Sequence, residues 1–238
     1  MRSRIQKFSN TSISYDLSIS DLMSALCCIF LLFLSVTVLE LNTKKNEYEA
    51  TTGQYKDMQK ELKIEIEKEF YEDFKKWNAY ISDDLTIHFQ DQSLMFKDFD
   101  DELTQNFKDI LTDLFPRLVQ ILSNERFYEK ILEIRIEGHT AEEKNIPKKV
   151  DYQEGIDLSQ RRTKNVLFYC LDKLEDRSDL FDEKLIEWVR QNTIAVGYSN
   201  SLPIYDEEGN KDANLSRRVE IKLRTKPEVV SSELRINE

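Results

Sequence analysis

The sequence predicts an α+β protein with a single N-terminal transmembrane helix, a helical stalk and an outer domain in which helices pack on one face of a small sheet. Three patterns predict this architecture. An uncharged apolar run over residues 22–39 is about long enough to cross a bilayer as one helix. A charge-dense stretch follows over residues 42–83. Beyond it, segments with alternating apolar residues take turns with segments of helical periodicity.

The apolar run is compatible with either an uncleaved span or a secretory signal peptide. A signal peptide has a shorter apolar core that is followed by a small-residue cleavage site. No Ala-x-Ala pattern follows here, which favours a transmembrane helix over residues 19–41. The N-terminal flank carries three basic residues and no acidic residue before Asp16. This excess of positive charge predicts a cytoplasmic tail of residues 1–18 and places the rest outside, in the periplasm of a Gram-negative cell.

Residues 42–83 are predicted to form a helical stalk, because charges of both signs recur three and four residues apart and support an exposed helix. Within this stretch, four apolar residues form a thin stripe along one side of the helix: Leu62, Ile66, Phe70 and Phe74. The stripe is too narrow for a packed core. Two interpretations remain open, a solvated spacer and a helix that pairs with a second copy of the chain through the stripe.

The outer domain is predicted over residues 84–226, and residues 227–238 are predicted to be a flexible tail. Alternation predicts strands at 85–89, 131–137, 193–198 and 217–223. Helical periodicity predicts helices at 99–122, 158–174 and 182–191. Pro116 is expected to kink or divide the first of these helices.

Composition excludes several classes of function. A net charge of −11 argues against a nucleic-acid partner. Cys170 is alone outside the span, so no disulfide framework forms there, and its place on an apolar helix face predicts a buried thiol. His88 and His139 lack metal-ligand spacing to a cysteine or a second histidine, so no metal site and no cofactor are predicted. No phosphate loop or nucleophile motif occurs, and we expect no enzyme activity.

Three segments of the outer domain occur in an order that resembles the OmpA-like peptidoglycan-binding domain. They are Ile-Arg-Ile-Glu-Gly-His-Thr at 134–140, Leu-Ser-Gln-Arg-Arg-Thr-Lys-Asn-Val at 158–166 and Asn-Leu-Ser-Arg-Arg-Val-Glu-Ile at 214–221. The resemblance implies that Arg162 holds the carboxylate of diaminopimelate, with Thr140 and Leu158 beside it. A guanidinium fork suits a carboxylate.

The sequence departs from this family at two positions. Ala141 stands where the family has an acidic residue, and Gly155 stands where it has asparagine. Three nearby carboxylates are candidates to replace the missing charge: Glu142, Glu143 and Asp157.

The membrane segment resembles the B subunit of MotB-like rotary stators. The matching residues are Ser-Asp-Leu-Met-Ser-Ala-Leu at 20–26 and Phe-Leu-Leu-Phe at 30–33. Among such stators, the residues Ile-Ser-Asp-Leu-Met-Ser at 19–24 and the short chain are most similar to the B subunits of Zorya antiphage defence systems. The resemblance implies that Asp21 binds and releases the translocated ion, H⁺ or Na⁺. It also implies a homodimer inside a pentamer of MotA-like (ZorA-like) membrane subunits.

Position alone favours a simpler role for Asp21, the capping of a helix start. A carboxylate partly buried in a membrane interior can instead cycle between neutral and charged forms. The outer domain shifts the balance towards ion binding, and Asp16, nearer the cytoplasm, is the weaker candidate. Two alternatives remain for the whole protein: a flagellar MotB-type stator subunit, and a passive membrane-to-cell-wall tether. A passive tether has no use for an ionisable residue at the depth of Asp21.

Overall fold

The structure, a computed structural model, describes residues 3–90, 95–96, 100–143 and 145–226. Within the first helix, the side chains of residues 3–20, 47–52 and 54–55 lie outside this description, and so does the predicted flexible tail. The chain divides into two compact units, with the boundary between Gln54 and Tyr55. The predicted boundary between stalk and outer domain was residue 84.

The first unit consists of helix α1, which extends from Ser3 to Glu69 and therefore continues into the second unit. The segment Asp21–Asn46 contains a stretch that is long and apolar enough to cross a membrane, with a mean hydropathy of 2.6 over 18 residues. Its hydroxyl groups are satisfied by the helix itself: Thr37 donates to the Phe33 carbonyl at 2.8 Å and Thr43 to the Leu39 carbonyl at 3.0 Å. Such local hydrogen bonds let a polar side chain lie in a bilayer without an external partner.

The second unit begins with the last turns of α1, and here the structure corrects the sequence analysis. Leu62, Ile66 and Phe70 are fully buried in the hydrophobic core, and Phe74 on helix α2 (Tyr71–Trp77) is nearly so. The prediction that this stripe is too narrow for a core, and serves a spacer or a pairing seam, is wrong. A narrow stripe suffices because helix α3 (Gln105–Leu122) buries a broad apolar face in the same core.

Ion pairs join the same part of α1 to the rest of the second unit. The guanidinium of Arg117 on α3 lies 2.9 Å from a carboxylate oxygen of Glu69. Arg126 lies 2.8 Å from Glu61 and 2.7 Å from Glu65. These contacts surround the buried stripe with charged pairs, so the residues from Tyr55 to Glu69 belong to the outer domain.

A five-stranded sheet forms the centre of the domain. From one edge to the other, its strands are β1 Ala79–Ile81, β2 Thr86–Phe89, β7 Arg218–Thr225, β3 Ile131–His139 and β4 Thr193–Gly197. Only β3 and β4 pair in parallel, and the other neighbours are antiparallel. A separate hairpin joins β5 (Ile204–Tyr205) to β6 (Lys211–Asp212).

The remaining helices agree with the predicted order but not with every predicted boundary. They are α4 Lys148–Glu175, α5 Glu183–Asn192, α6 Ala213–Ser216 and a 3₁₀ turn at Tyr128–Lys130. Helix α3 starts after Thr104, whose hydroxyl accepts the Phe107 N–H, and Pro116 lies inside it without dividing it. Helix α4 begins directly after Pro147, well before the predicted residue 158. Proline has no backbone N–H to donate to a preceding helical turn, so it is disfavoured inside a helix but well suited to a helix start.

The two faces of the sheet differ in character. Ile134, Ile136 and Ile221 point into the core that the helices share. Gly138 on the same face allows α4 to approach closely, since an added Cβ would lie 2.7 Å from Thr163 and 2.8 Å from the Ser159 carbonyl. The opposite face carries charged and polar residues. The arrangement confirms the predicted α+β class.

Truncation of the buried stripe should destabilise the outer domain. We expect Ile66→Ala to lower the free energy of unfolding by about 2 to 5 kcal/mol, because it leaves a cavity in the core. Ile64, two residues earlier on α1 and 63% exposed, provides the control, and Ile64→Ala should change stability by less than about 0.5 kcal/mol. Urea unfolding followed by the fluorescence of Trp77 and Trp188 measures both. Equal stability of the two variants would show that the stripe is not part of the core.

Candidate functional site

Asp21 lies on helix α1 (Ser3–Glu69), one residue before the uncharged apolar run of residues 22–39, so it is inside the helix and not at its start. Its side chain is exposed on the helix, and so are the apolar side chains that follow it, among them Leu22 at 72% and Leu32 at 65%. In a bilayer these surfaces contact lipid or other helices. An ionisable group at such a position is costly unless it meets a polar partner or an ion. The side chain of Asp16 lies outside the described residues.

A pocket lies beyond the end of β3, next to Thr140. The Thr140 N–H donates to the Ser199 carbonyl at 2.8 Å. Gly155 on α4 faces both residues: an added Cβ would lie 2.2 Å from the Ser199 hydroxyl and 2.8 Å from the Thr140 hydroxyl. Glycine therefore fits here where asparagine would clash. The pocket is lined by Thr140, Ala141, Glu142, Glu143, Ile146, Lys148, Asn200, Pro203, Lys211, Ala213 and Ser216.

Arg162 lies further along α4 and is 9% exposed. Its Nε donates to the Asp100 carbonyl at 2.8 Å, and its guanidinium lies 4.8 Å from the centre of the Phe96 ring. Asn165, one turn on, donates to the Asp101 carbonyl at 2.8 Å. Both side chains thus fasten α4 to the segment before α3. Thr140 lines the pocket and Arg162 does not.

Leu158 is half-buried and also lies outside the lining of the Thr140 pocket. Two of the three residues assigned to peptidoglycan therefore sit apart from the pocket that contains the third. The assignment itself stays a prediction.

The three carboxylates suggested as replacements for the missing acid all have basic partners. Glu142 lies 2.5 Å from Lys211, whose hydrogen bond and charge hold the pKa of Glu142 below its usual range. Glu143 lies 2.9 Å from Arg217. Asp157 pairs with Arg161.

Sequence reasoning missed Asp151, a buried carboxylate at the start of α4. It accepts hydrogen bonds from the Asn200 amide at 2.6 Å and from the Glu143 N–H at 3.3 Å, both of which belong to residues of the Thr140 pocket. The preference of acidic residues for the first turn of a helix was the signal that could have identified it. That signal was hidden because the helix was predicted to start later.

The charged face of the sheet consists of side chains from β2, β3 and β7 that pair with one another. Glu220 is central: its Oε1 accepts from His88 Nδ1 at 2.7 Å and from Arg218 Nε at 2.6 Å. Burial opposes ionisation of Glu220, but the hydrogen bond from His88 and the charge of Arg218 hold its pKa below the usual range. Both hydrogen bonds hold Oε1 of Glu220 in place, and Oε2 accepts neither of them.

Glu137 and His139 lie beside Glu220 in this network and are also buried. Burial raises the pKa of Glu137 above its usual range. Burial and the nearby charge of Arg218 lower the pKa of His139 to about 4, so its imidazole is neutral at pH 7. The ring stacks on Tyr198 with centres 5.2 Å apart. Glu137 and His139 lie two residues apart on one face of β3, and sheet pairing brings Glu220 of β7 to them, which sequence spacing alone does not indicate.

Cys170 confirms the prediction of a buried thiol. It is fully buried on α4 within the core, and burial raises its pKa above the usual range. A protonated, inaccessible thiol is a packing residue rather than a reactive group.

Comparison with known proteins identifies the family, although no family model matches the chain. Over 216 residues, 89% of this chain and 88% of the relative, it is 34% identical to the Zorya protein ZorB of Escherichia coli strain Crooks. The structure of a MotB-like protein from Desulfovibrio vulgaris aligns with a TM-score of 0.48 and 18% identity. This alignment covers 72% of this chain and 96% of the MotB-like protein. The cell wall anchor of the type VI secretion system from Pseudomonas aeruginosa aligns with a TM-score of 0.44 and 16% identity. This alignment covers 68% of this chain and 97% of the anchor. The identity to ZorB extends over nearly the whole of both chains, and this chain belongs to the ZorB family.

Proposed function

We propose that this chain is the B subunit of a rotary stator complex in the inner membrane, driven by H⁺ or Na⁺ and acting in antiphage defence. The observation that carries the proposal is Asp21, a carboxylate one residue before the uncharged apolar run of residues 22–39 in a chain of the ZorB family. A helix that only anchors a domain gains nothing from a charge at this place. A helix that conducts ions needs a group that binds and releases them.

The exposed apolar surface of the span supports assembly with other membrane helices. Every side chain described from Asp21 to Leu34 is exposed on the single helix. In the proposed complex, two copies of the chain lie inside a pentamer of MotA-like (ZorA-like) subunits, which would cover this surface and bring Asp21 to a polar path. The positive flank at Arg2, Arg4 and Lys7 orients the N-terminus to the cytoplasm and the outer domain to the periplasm.

The outer domain is proposed to bind peptidoglycan, so that the B subunits resist rotation when ions flow. Its motif residues Thr140, Leu158 and Arg162 are the proposed contacts. The pocket at Thr140 is lined by Lys148 and Lys211, cations that suit the carboxylates of a cell-wall peptide. Both already face Glu142, at 3.7 and 2.5 Å, so a cell-wall carboxylate would compete with Glu142 for them.

Replacement of the Asp21 carboxylate should separate assembly from activity. Asp21→Asn keeps the size and the hydrogen bonding of the side chain but cannot ionise. We expect normal membrane insertion, ion conduction reduced to the level of cells without the complex, and complete loss of phage protection. Ion flux in vesicles and phage plating efficiency measure the two losses.

Asp16→Asn is the matched control for this experiment, because it removes a carboxylate from the same helix nearer the cytoplasm. It should leave conduction and protection close to wild type. Wild-type conduction and protection in the Asp21→Asn protein would contradict the stator proposal and leave a passive tether.

The peptidoglycan contact can be separated from the structural role of Arg162. Arg162→Ala removes both the proposed ligand contact and the hydrogen bond to the Asp100 carbonyl. Asn165→Ala removes only a neighbouring fastening of the same segment. Loss of a buried charge-assisted contact costs about 2 to 5 kcal/mol, so sedimentation with purified peptidoglycan should weaken more than tenfold for Arg162→Ala.

Asn165→Ala should bind peptidoglycan as wild type does, even where its unfolding midpoint falls as far as that of Arg162→Ala. Equal loss of binding in both variants would assign Arg162 to the fastening of α4 alone. Undiminished binding of Arg162→Ala would exclude it from the cell-wall contact.

A further inference from the structure

Three potential metal ligands meet on the charged face of the sheet. Glu137 and His139 belong to β3 and Glu220 to β7, and one ligand atom from each lies within 4.8 Å of the others. His139 Nε2 is 3.6 Å from Glu220 Oε2 and 3.9 Å from Glu137 Oε2. Ligand atoms about 2.1 Å from one tetrahedral ion lie about 3.4 Å apart, so a small adjustment would admit a shared ion.

An independent observation points to a missing partner at this place. The His139 side chain is 1% exposed, and neither of its ring nitrogens has a hydrogen-bond partner among the described residues. A buried polar atom without a partner is costly, and the large majority of such atoms in proteins are satisfied by protein, water or an ion. The Nε2 atom is directed between two carboxylate oxygens, which themselves cannot donate a hydrogen bond when ionised.

The surrounding side chains hold the carboxylates in a suitable orientation. Glu220 uses Oε1 for His88 and Arg218 and leaves Oε2 on the side of His139. Glu137 has Oε1 3.5 Å from Arg135 and Oε2 on the side of His139. This division, with one oxygen held by the protein and the other available, is how neighbouring groups commonly position metal ligands.

We propose that Glu137, His139 and Glu220 form a binding site for a divalent transition-metal ion, with zinc as the probe that tests it. One imidazole nitrogen and two carboxylate oxygens leave a fourth position for water. The ion would bridge β3 and β7, the two central strands of the sheet. Because Arg135 and Arg218 already offset the two carboxylates, its affinity should be lower than that of a four-ligand structural zinc site.

Zinc binding to the full-length chain in detergent tests the proposal, with a purification tag that lacks histidine. We expect one zinc ion per chain by calorimetry and elemental analysis. Zinc at a hundredfold its Kd should raise the midpoint of thermal unfolding by roughly 5 to 10 °C, since it binds the folded state alone. Zinc-free protein prepared with a chelator is the reference.

Three variants locate the site. Glu137→Gln and His139→Phe should each lose zinc binding and the thermal shift. Glu133→Gln, on the same face of β3 and also a partner of Arg135, should keep both. His139→Phe retains a ring to stack on Tyr198 and removes two unpaired nitrogens, so without zinc it should be at least as stable as wild type.

Several results would overturn the site. They are the absence of zinc binding by wild type, equal binding by wild type, Glu137→Gln and His139→Phe, or loss in Glu133→Gln equal to that in Glu137→Gln. If Glu137→Gln does not fold, His139→Phe and the visible spectrum of the cobalt-loaded wild type decide the question. A spectrum unchanged by His139→Phe would exclude the imidazole as a ligand.

Discussion

The pairing of β3 with β7 sets the position of nearly every feature of the outer domain. In this antiparallel register Glu137 lies opposite Glu220 and Ile136 opposite Ile221. Because side chains alternate between the faces of a sheet, the register sends the isoleucines to the core and the carboxylates to the charged face at once. A slip of one residue would exchange the faces and bury several charges against the helices. The apolar core therefore stabilises a register whose other consequence is a cluster of buried ionisable groups.

Sequence patterns predicted those elements whose own residues carry the period. Strands β3 and β7 alternate over many residues, and α3 and α5 have strong apolar faces, so each was found near its true place. The strand β1 and the hairpin of β5 and β6 have two or three residues each, too few to show a period. The stripe at Leu62 and Ile66 was misjudged for a different reason: its width was visible, but the broad partner face of α3 that completes the core is distant in sequence.

The candidate sites divide in the same way. Asp21 could be proposed from the sequence because its assignment depends on its immediate neighbours, a charge beside an apolar run. Thr140 and Arg162 were proposed from motifs, yet the motif does not indicate that Arg162 donates to the Asp100 carbonyl and lies over the Phe96 ring. In the cluster of Glu137, His139 and Glu220, the first two are neighbours on one face of β3, but Glu220 comes from β7, far along the chain, and only strand pairing brings it to them.

The burial of the stripe also bears on how two copies of the chain would associate. Side chains that fill the core of one domain cannot at the same time pair with another copy, so Leu62, Ile66 and Phe70 are excluded as a dimer seam. In the membrane segment, by contrast, the apolar side chains after Asp21 are all available. Lipid is as apolar as leucine, so burial of such side chains gives little drive for helix association in a bilayer. What favours a partner there is the carboxylate itself, which is stable at that depth only where another protein surface, water or an ion meets it.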